Sequence, residues 1–163
     1  MKIRIADRKD YPGIINIYNQ AVDEKYVTAD TEHITLQSRA VWFNHHDDPK
    51  FPIFITEENN EITGWCSLSP YREGRKALNS VAELSYYINK NHRRKGTATL
   101  LINHTLKKAK ELGYKNLISI LLDINKPSIN LLEKAGFEKW GHLPQVAEFQ
   151  DITCGQIIYG RKI

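Results

Sequence analysis

The chain has 163 residues, 41% apolar and 26% charged, with a formal net charge of +4. That length suits one domain, 1–163, with a core of its own. Eight Tyr, five Phe and three Trp argue against disorder, and no apolar run approaches the ~18 residues needed to cross a bilayer. The first ten residues, MKIRIADRKD, show no secretory leader. Mild basicity permits an anionic ligand without demanding nucleic acid. Cys66 and Cys154 stand alone, so neither a disulfide framework nor a zinc site is expected. A cytoplasmic protein with free thiols is the expectation.

In chain order, residues 2–6 read as a short strand with Ile3 and Ile5 on one face. Asp7 or Asp10 can cap a helix, Pro12 suits its first turn, and Ile14, Ile17, Tyr18, Ala21 and Val22 recur at helical spacing. After a polar loop, Leu36, Ala40 and Phe43 predict a second helix ending near residues 45–49. Residues 51–57 and 62–68 form a predicted hairpin across Glu58-Asn59-Asn60. A polar loop, a strand over 81–88 and a basic turn follow. A helix over 97–112 carries Leu100, Leu101, His104 and Leu106, closed by Gly113. Residues 117–122 read as a strand buried on both faces. A short helix spans 127–135, and two last strands cover 137–140 and 152–159. The order β-α-α-β-β-β-α-β-α-β-β predicts an α/β (α+β) domain: one mixed, twisted sheet of about seven strands with helices on both faces.

The most informative stretch is a strand ending Ser85-Tyr86-Tyr87-Ile88, a turn with Arg93-Arg94-Lys95-Gly96, and a helix beginning at once. Free N–H groups and the dipole at a helix start favour an anion, and the expected ligand is a diphosphate. Gly96 lets the backbone approach it, Ala98 stays small, and Arg93, Arg94 and Lys95 add charge. A solvated basic turn is the plain alternative. Neither the kinase-type P-loop nor the three spaced glycines of a dinucleotide site are present.

Arg93-x-x-Gly96-x-Ala98, with Asn125-x-x-Ser128-x-x-Leu131 and Gly136-Phe137 downstream, resembles the two motifs of the GNAT superfamily of acetyl-CoA-dependent N-acetyltransferases. Within it, Ile17–Val22, Thr28, Arg39-x-x-Trp42-Phe43, Glu83-x-Ser85-x-Tyr87-Ile88 and Pro144-Gln145-Val146 are similar to the phosphinothricin and methionine-sulfone acetyltransferases. Those enzymes acetylate the α-amino group of small amino acids and their analogues. The resemblance implies a pyrophosphate on Arg94, Lys95, Gly96, Thr97, Ala98 and Thr99. It implies a pantetheine arm beside Tyr86, Tyr87 and Ile88, with Asn125 on the cofactor and Lys134 near its far end. It also implies a homodimer. The strand over 152–159, apolar on both sides and preceded by Trp140, is where such a pairing surface is expected.

Acetyl transfer to an amine needs a neutral nucleophile, a stabilised oxyanion and a leaving thiolate. Alternation puts Glu83, Ser85 and Tyr87 on one face of their strand, and the resemblance makes Glu83 the base, directly or through a water. A salt-bridged surface Glu is the plain alternative. A backbone N–H of the 87–88 region is the expected oxyanion donor. Where many superfamily members carry Tyr, and close relatives often His, this chain has Leu132. A phenol acting as general acid from that position is therefore excluded. Arg72, then Arg75, are the candidates for a substrate carboxylate, and the resemblance implies that the loop carrying Thr28, with Glu32 nearby, lies over the substrate. Neither cysteine has an activating neighbour, so a direct transfer is favoured over an acetyl-enzyme. The His45-His46-Asp47-Asp48 cluster lacks a third ligand at sensible spacing and reads as a solvated helix end, so no metal is expected. The competing functions are a CoA-binding regulatory module, a transferase for a polyamine, antibiotic amine or protein N-terminus, and, last, a nucleic-acid binder.

Overall fold

The computed structural model describes all 163 residues. Seven strands form one sheet: β1 (Lys2–Ile5), β2 (Ile53–Glu58), β3 (Glu61–Pro70), β4 (Val81–Ile88), β5 (Asn116–Leu122), β6 (Glu138–Glu148) and β7 (Thr153–Lys162). Their spatial order is β1-β2-β3-β4-β5-β7-β6. Every neighbouring pair is antiparallel except β4 with β5. The helices are α1 (Tyr11–Asp23), α2 (Ala40–His45), α3 (Thr97–Glu111) and α4 (Lys126–Lys134). The element order and the mixed sheet agree with the expectation from sequence. No helix is long and apolar enough to cross a membrane.

The two faces of the sheet bury two cores. On one, α3 and α4 bring Leu101, Ile102, Ile129 and Leu132 onto Phe54, Leu68 and Leu84. On the other, α1 and α2 bring Ile14, Ile17 and Phe43 onto Ile53, Ile55 and Trp65. A 3-10 turn over Arg8–Asp10 leads into α1 and is set by a capping box, in which Lys9 N–H donates to Asp7 Oδ1 at 3.0 Å and Asp7 N–H donates to Asp10 Oδ2 at 2.8 Å. Arg4 donates to both Asp10 oxygens, at 2.6 and 2.8 Å, and so ties β1 to this turn. That guanidinium holds the Asp10 carboxyl below the usual carboxylate range.

Four expectations change. In α3 the inward residues are Leu101, Ile102, Thr105, Leu106 and Ala109, while Leu100 is exposed. The second helix begins only at Ala40. Residues 35–38 instead close on themselves, with Ser38 N–H donating to Thr35 Oγ1 and Thr35 N–H to Ser38 Oγ. Side-chain bonds of this kind offer the backbone an alternative to a helix, and Leu36 stays exposed.

The third concerns the last hairpin. β6 runs eleven residues, well beyond 137–140, through Pro144 and two register shifts. β7 lies inside the sheet, paired on both edges, with Cys154, Ile157 and Tyr159 buried. The apolar residues left exposed at this edge belong to β6: Trp140, Leu143 and Val146. Pro is tolerated on an edge strand because its missing N–H costs no ladder bond there.

The fourth is His46, which is not solvated. Its Nδ1 bonds the Phe51 carbonyl at 2.5 Å, its ring meets Trp42 edge-on, and Nε2 is buried without a partner. Desolvation pushes its pKa down to about 4.

Candidate active site

β4 and β5 pair only over Val81–Glu83 against Asn116–Ile118. Beyond that the strands part, while β4 stays paired with β3 as far as Ile88. Asn89 N–H donates to Thr63 O on the β3 side at 3.0 Å. By strand alternation the amides of Leu84, Tyr86 and Ile88 then face the gap. Arg93 Nε reaches the Ile88 carbonyl from that side at 3.4 Å. The gap thus presents an unpaired polypeptide edge inside the molecule.

A cavity opens on each face of the sheet at this gap. On the α1/α2 face, a cavity of about 300 Å³ holds Glu83, Ser85 and Tyr87 from β4, with Thr28 and Arg39 from the connection between α1 and α2. On the α3/α4 face, a groove of about 510 Å³ runs past Tyr86 and Ile88 to Arg94, Gly96 and Thr99. A narrow neck, lined by Ser85, Tyr86, Ser119, Asn125 and Leu132, lies between them in the split and shares wall residues with both. Val27 and Tyr87 border all three spaces.

The groove ends on the start of α3. Arg94 and Gly96 both hold positive φ, 59° and 81°. A side chain on Gly96 would meet nothing within 4 Å, so glycine answers the backbone conformation there rather than a lack of space. Asn125 caps α4 by accepting from Ser128 N–H at 3.3 Å, and its Nδ2 donates to the Val27 carbonyl at 3.4 Å. One residue therefore links the groove wall to the loop over the cavity.

Glu83 is half-buried, and burial alone pushes its pKa above the usual carboxylate range. It has no ion-pair partner. Beside it an aromatic wall runs from Trp42 to Trp65 to Tyr87, with ring centroids 5.9 and 4.9 Å apart, and on to Tyr18 at 4.8 Å. Burial also raises the pKa of Tyr18 and Tyr87, which keeps both phenols protonated. Tyr18 Oη donates to Asp30 at 2.6 Å and shares a bond with Thr28 Oγ1 at 2.7 Å, and Arg39 pairs with Asp30.

The fold brings Glu83, Thr28 and Tyr87 to the cavity, and Tyr86, Ile88, Arg93, Arg94, Gly96, Thr97, Ala98, Thr99 and Asn125 to the groove. Within the groove wall, Arg93 donates to Glu24 through Nη1 at 2.6 Å and to the Ile88 carbonyl through Nε at 3.4 Å, so its guanidinium is committed to the protein. Other expected residues lie elsewhere. Lys95 and Lys134 are exposed and do not line the groove. Arg72 borders a separate depression with Lys50 and Tyr114, and Arg75 is exposed. The structure adds Arg39 and Trp42 to the cavity. Both stand in the Arg39-x-x-Trp42-Phe43 stretch whose resemblance is visible in sequence, though nothing local gives either a role. Cys66 is fully buried on β3, its thiol pushed up to about 12, and it lines none of the three spaces.

The acetyltransferase (GNAT) family profile matches residues 14–137. The "Putative phosphinothricin acetyltransferase YwnH" of Bacillus subtilis is 36% identical, over all of this chain and 99% of its own length. The L-amino acid N-acyltransferase MnaT of Escherichia coli is 27% identical, over 96% of this chain and 93% of its own. The structure of yncA from Salmonella typhimurium with its cofactor acetyl-CoA superposes with a TM-score of 0.91 at 25% identity, covering 99% of this chain and 93% of that one. With a split sheet opening onto a helix start, and a family match across three quarters of its length, the chain belongs to the acetyltransferase (GNAT) family.

Proposed function

We propose that the protein transfers an acetyl group from acetyl-CoA directly to the α-amino group of a small amino acid or amino-acid analogue, with Glu83 as base. One observation carries this reading: two cavities on opposite faces of the sheet meet at the gap between β4 and β5, with an unpaired carboxylate in one of them. Donor and acceptor could then be bound together and meet at the neck.

The groove suits the donor. Free amides at the start of α3, with Arg94, fit a diphosphate, and the open edge of β4 fits an extended arm carrying amide groups. When bound, acetyl-CoA supplies an activated acyl thioester. The chain's residues do the rest. Glu83, acting as a carboxylate, takes a proton from an α-ammonium whose own pKa is near 7.7–8.0. A β4 amide facing the gap donates to the charge developing on the carbonyl oxygen, worth roughly 2.7–4 kcal/mol when well placed. Leu132, fully buried at the neck, offers no proton. A thiol of unperturbed pKa near 8.5 can leave as thiolate without one. The enclosed, strongly weakened acidity of Cys66 favours direct transfer over an acetyl-cysteine.

The test is initial-rate kinetics with acetyl-CoA and a panel of amino acids, reading thiol release and the N-acetyl product by mass. Intersecting double-reciprocal lines are expected. Parallel lines would refute direct transfer. Tight CoA binding with no turnover would favour a regulatory module, to which the aliphatic Leu132 lends some weight.

For the pairing of two copies we propose β6 rather than 152–159. This edge strand exposes Trp140, Leu143 and Val146, whereas β7 is covered on both sides. Sedimentation should give a dimer that Val146→Glu weakens. A wild-type monomer at micromolar concentration would sink the assignment.

A further inference from the structure

We propose that Arg39 holds the α-carboxylate of the acceptor and that the aromatic wall takes an uncharged, apolar side chain. The preferred acceptors are then amino acids such as leucine, methionine and phenylalanine, rather than analogues with a second anion. This rests on the amino-acid acetyltransferase reading above.

Arg39 is the one cationic residue lining the Glu83 cavity, and Glu83 is the one acidic residue. The guanidinium donates to Asp30 through Nη2 alone, which leaves Nε and Nη1 without a protein acceptor. Asp30 is itself fixed by the Tyr18 hydroxyl, and Tyr18 by Thr28. A chain of hydroxyls thus orients a guanidinium that still has two free donor positions. A planar fork of that kind matches a carboxylate with two parallel bonds. The amine and carboxylate of an α-amino acid sit on one carbon, so the acid and the cation that receive them must share a cavity. Arg72 and Arg75 do not line this one.

The cavity can satisfy one anion. A second, such as the phosphinate of phosphinothricin, would lose its water among Ile14, Trp42, Phe43 and Trp65 with no cation left to meet it. An apolar side chain gains from the same walls. Ser85, Gln156 and the Tyr87 hydroxyl are the polar groups remaining. They can serve a neutral sulfone but not neutralise a charge.

The experiment compares kcat and KM for leucine, phenylalanine, methionine sulfone, phosphinothricin and phenethylamine, the last being phenylalanine without its carboxylate. Wild type, Arg39→Gln, Arg39→Lys and Asp30→Asn are measured, with thermal melts as a check on folding. Wild type should favour phenylalanine or leucine over phosphinothricin by about 30-fold in kcat/KM, with the sulfone between. Arg39→Gln should raise KM for phenylalanine about 30-fold with kcat little changed, and its loss should be about tenfold smaller for phenethylamine. Arg39→Lys, which keeps the charge but not the fork, should fall between. Asp30→Asn, which frees the guanidinium without removing it, should lose less than Arg39→Gln.

Equal losses for phenylalanine and phenethylamine would make Arg39 a structural residue and overturn the proposal. So would a wild-type preference for phosphinothricin. If Arg39→Gln fails to fold, the phenylalanine-to-phenethylamine ratio in Arg39→Lys decides, and an unchanged ratio overturns the proposal. Turnover of phenethylamine with amino acids refused would overturn it while sparing acetyl transfer. No turnover of any amine by wild type would overturn the amino-acid reading itself.

Discussion

Replacing Glu83 with Gln is expected to lower kcat/KM for the amino-acid acceptor by about 10²–10⁴ at pH 7, the range for losing a positioned general base. The substitution is nearly isosteric, and Glu83 makes no ion pair that would be broken, so the melting temperature should stay close to wild type. The pH profile separates a base from a bystander. Burial alone raises the Glu83 pKa, so the limb that Glu83 sets in the wild-type profile should lie above the ordinary carboxylate range and be lost in the variant, which keeps only the rise set by the α-amine. The deficit should also narrow above pH 8, where the α-amine increasingly supplies its own neutral form. A variant with unchanged kcat/KM at pH 7 would remove Glu83 from the chemistry and leave solvent as the base. The acetyl-CoA KM should move little in either case, because Glu83 lies on the opposite face of the sheet from the groove.

The largest effect on stability is expected at His46. Its folded pKa is about 4 against an ordinary 6.5, with desolvation the main cause. The sign follows from proton counts. Above pH 6.5 neither folded nor unfolded chain protonates it, and it adds no pH dependence. As pH falls through 6.5 the unfolded chain takes up a proton that the folded chain refuses, so stability declines until about pH 4. The full loss is about 3 kcal/mol, and near pH 5 it is about 2 kcal/mol. For a chain of this size that is roughly 4–8 °C in Tm. His46→Gln can keep an N–H donor towards the Phe51 carbonyl and has nothing to titrate. Thermal melts at pH 7.5 and 5.0 should therefore show a smaller acid-induced drop in the variant, by about that amount. Equal drops in both proteins would mean that His46 is already hydrated in the folded state. The neighbouring carboxylates are common to both proteins, so the difference isolates the imidazole.

What was legible in the sequence follows from local chemistry. Helix starts were readable because Asp7 and the prolines at 12 and 127 act within one turn of their own backbone, whereas the Asn125 cap was seen only in the structure. The Arg93–Thr99 turn was readable because a strand, a glycine that must take positive φ, and a helix succeed one another directly. Alternation along β4 put Glu83, Ser85 and Tyr87 on one face, and all three line one cavity.

Charge near the groove misled because a cation's partner is set by the fold. Arg93 is neighbour to Arg94 in sequence, yet it is claimed by Glu24 from the end of α1. His46 stands among polar residues in sequence, but its ring is enclosed by Trp42 and the Phe51 carbonyl. β7 is as apolar as an interface strand, and only pairing with β5 and β6 uses that surface up. The sequence by itself thus determined the elements, their order, the glycine turn that opens α3 and the face that carries Glu83. The tertiary structure alone decided which charges are free, which strand forms the edge, and that Arg39 shares a cavity with Glu83. Capping, turn and alternation preferences act over a few residues, whereas burial and ion pairing depend on groups that only folding brings within a few ångströms.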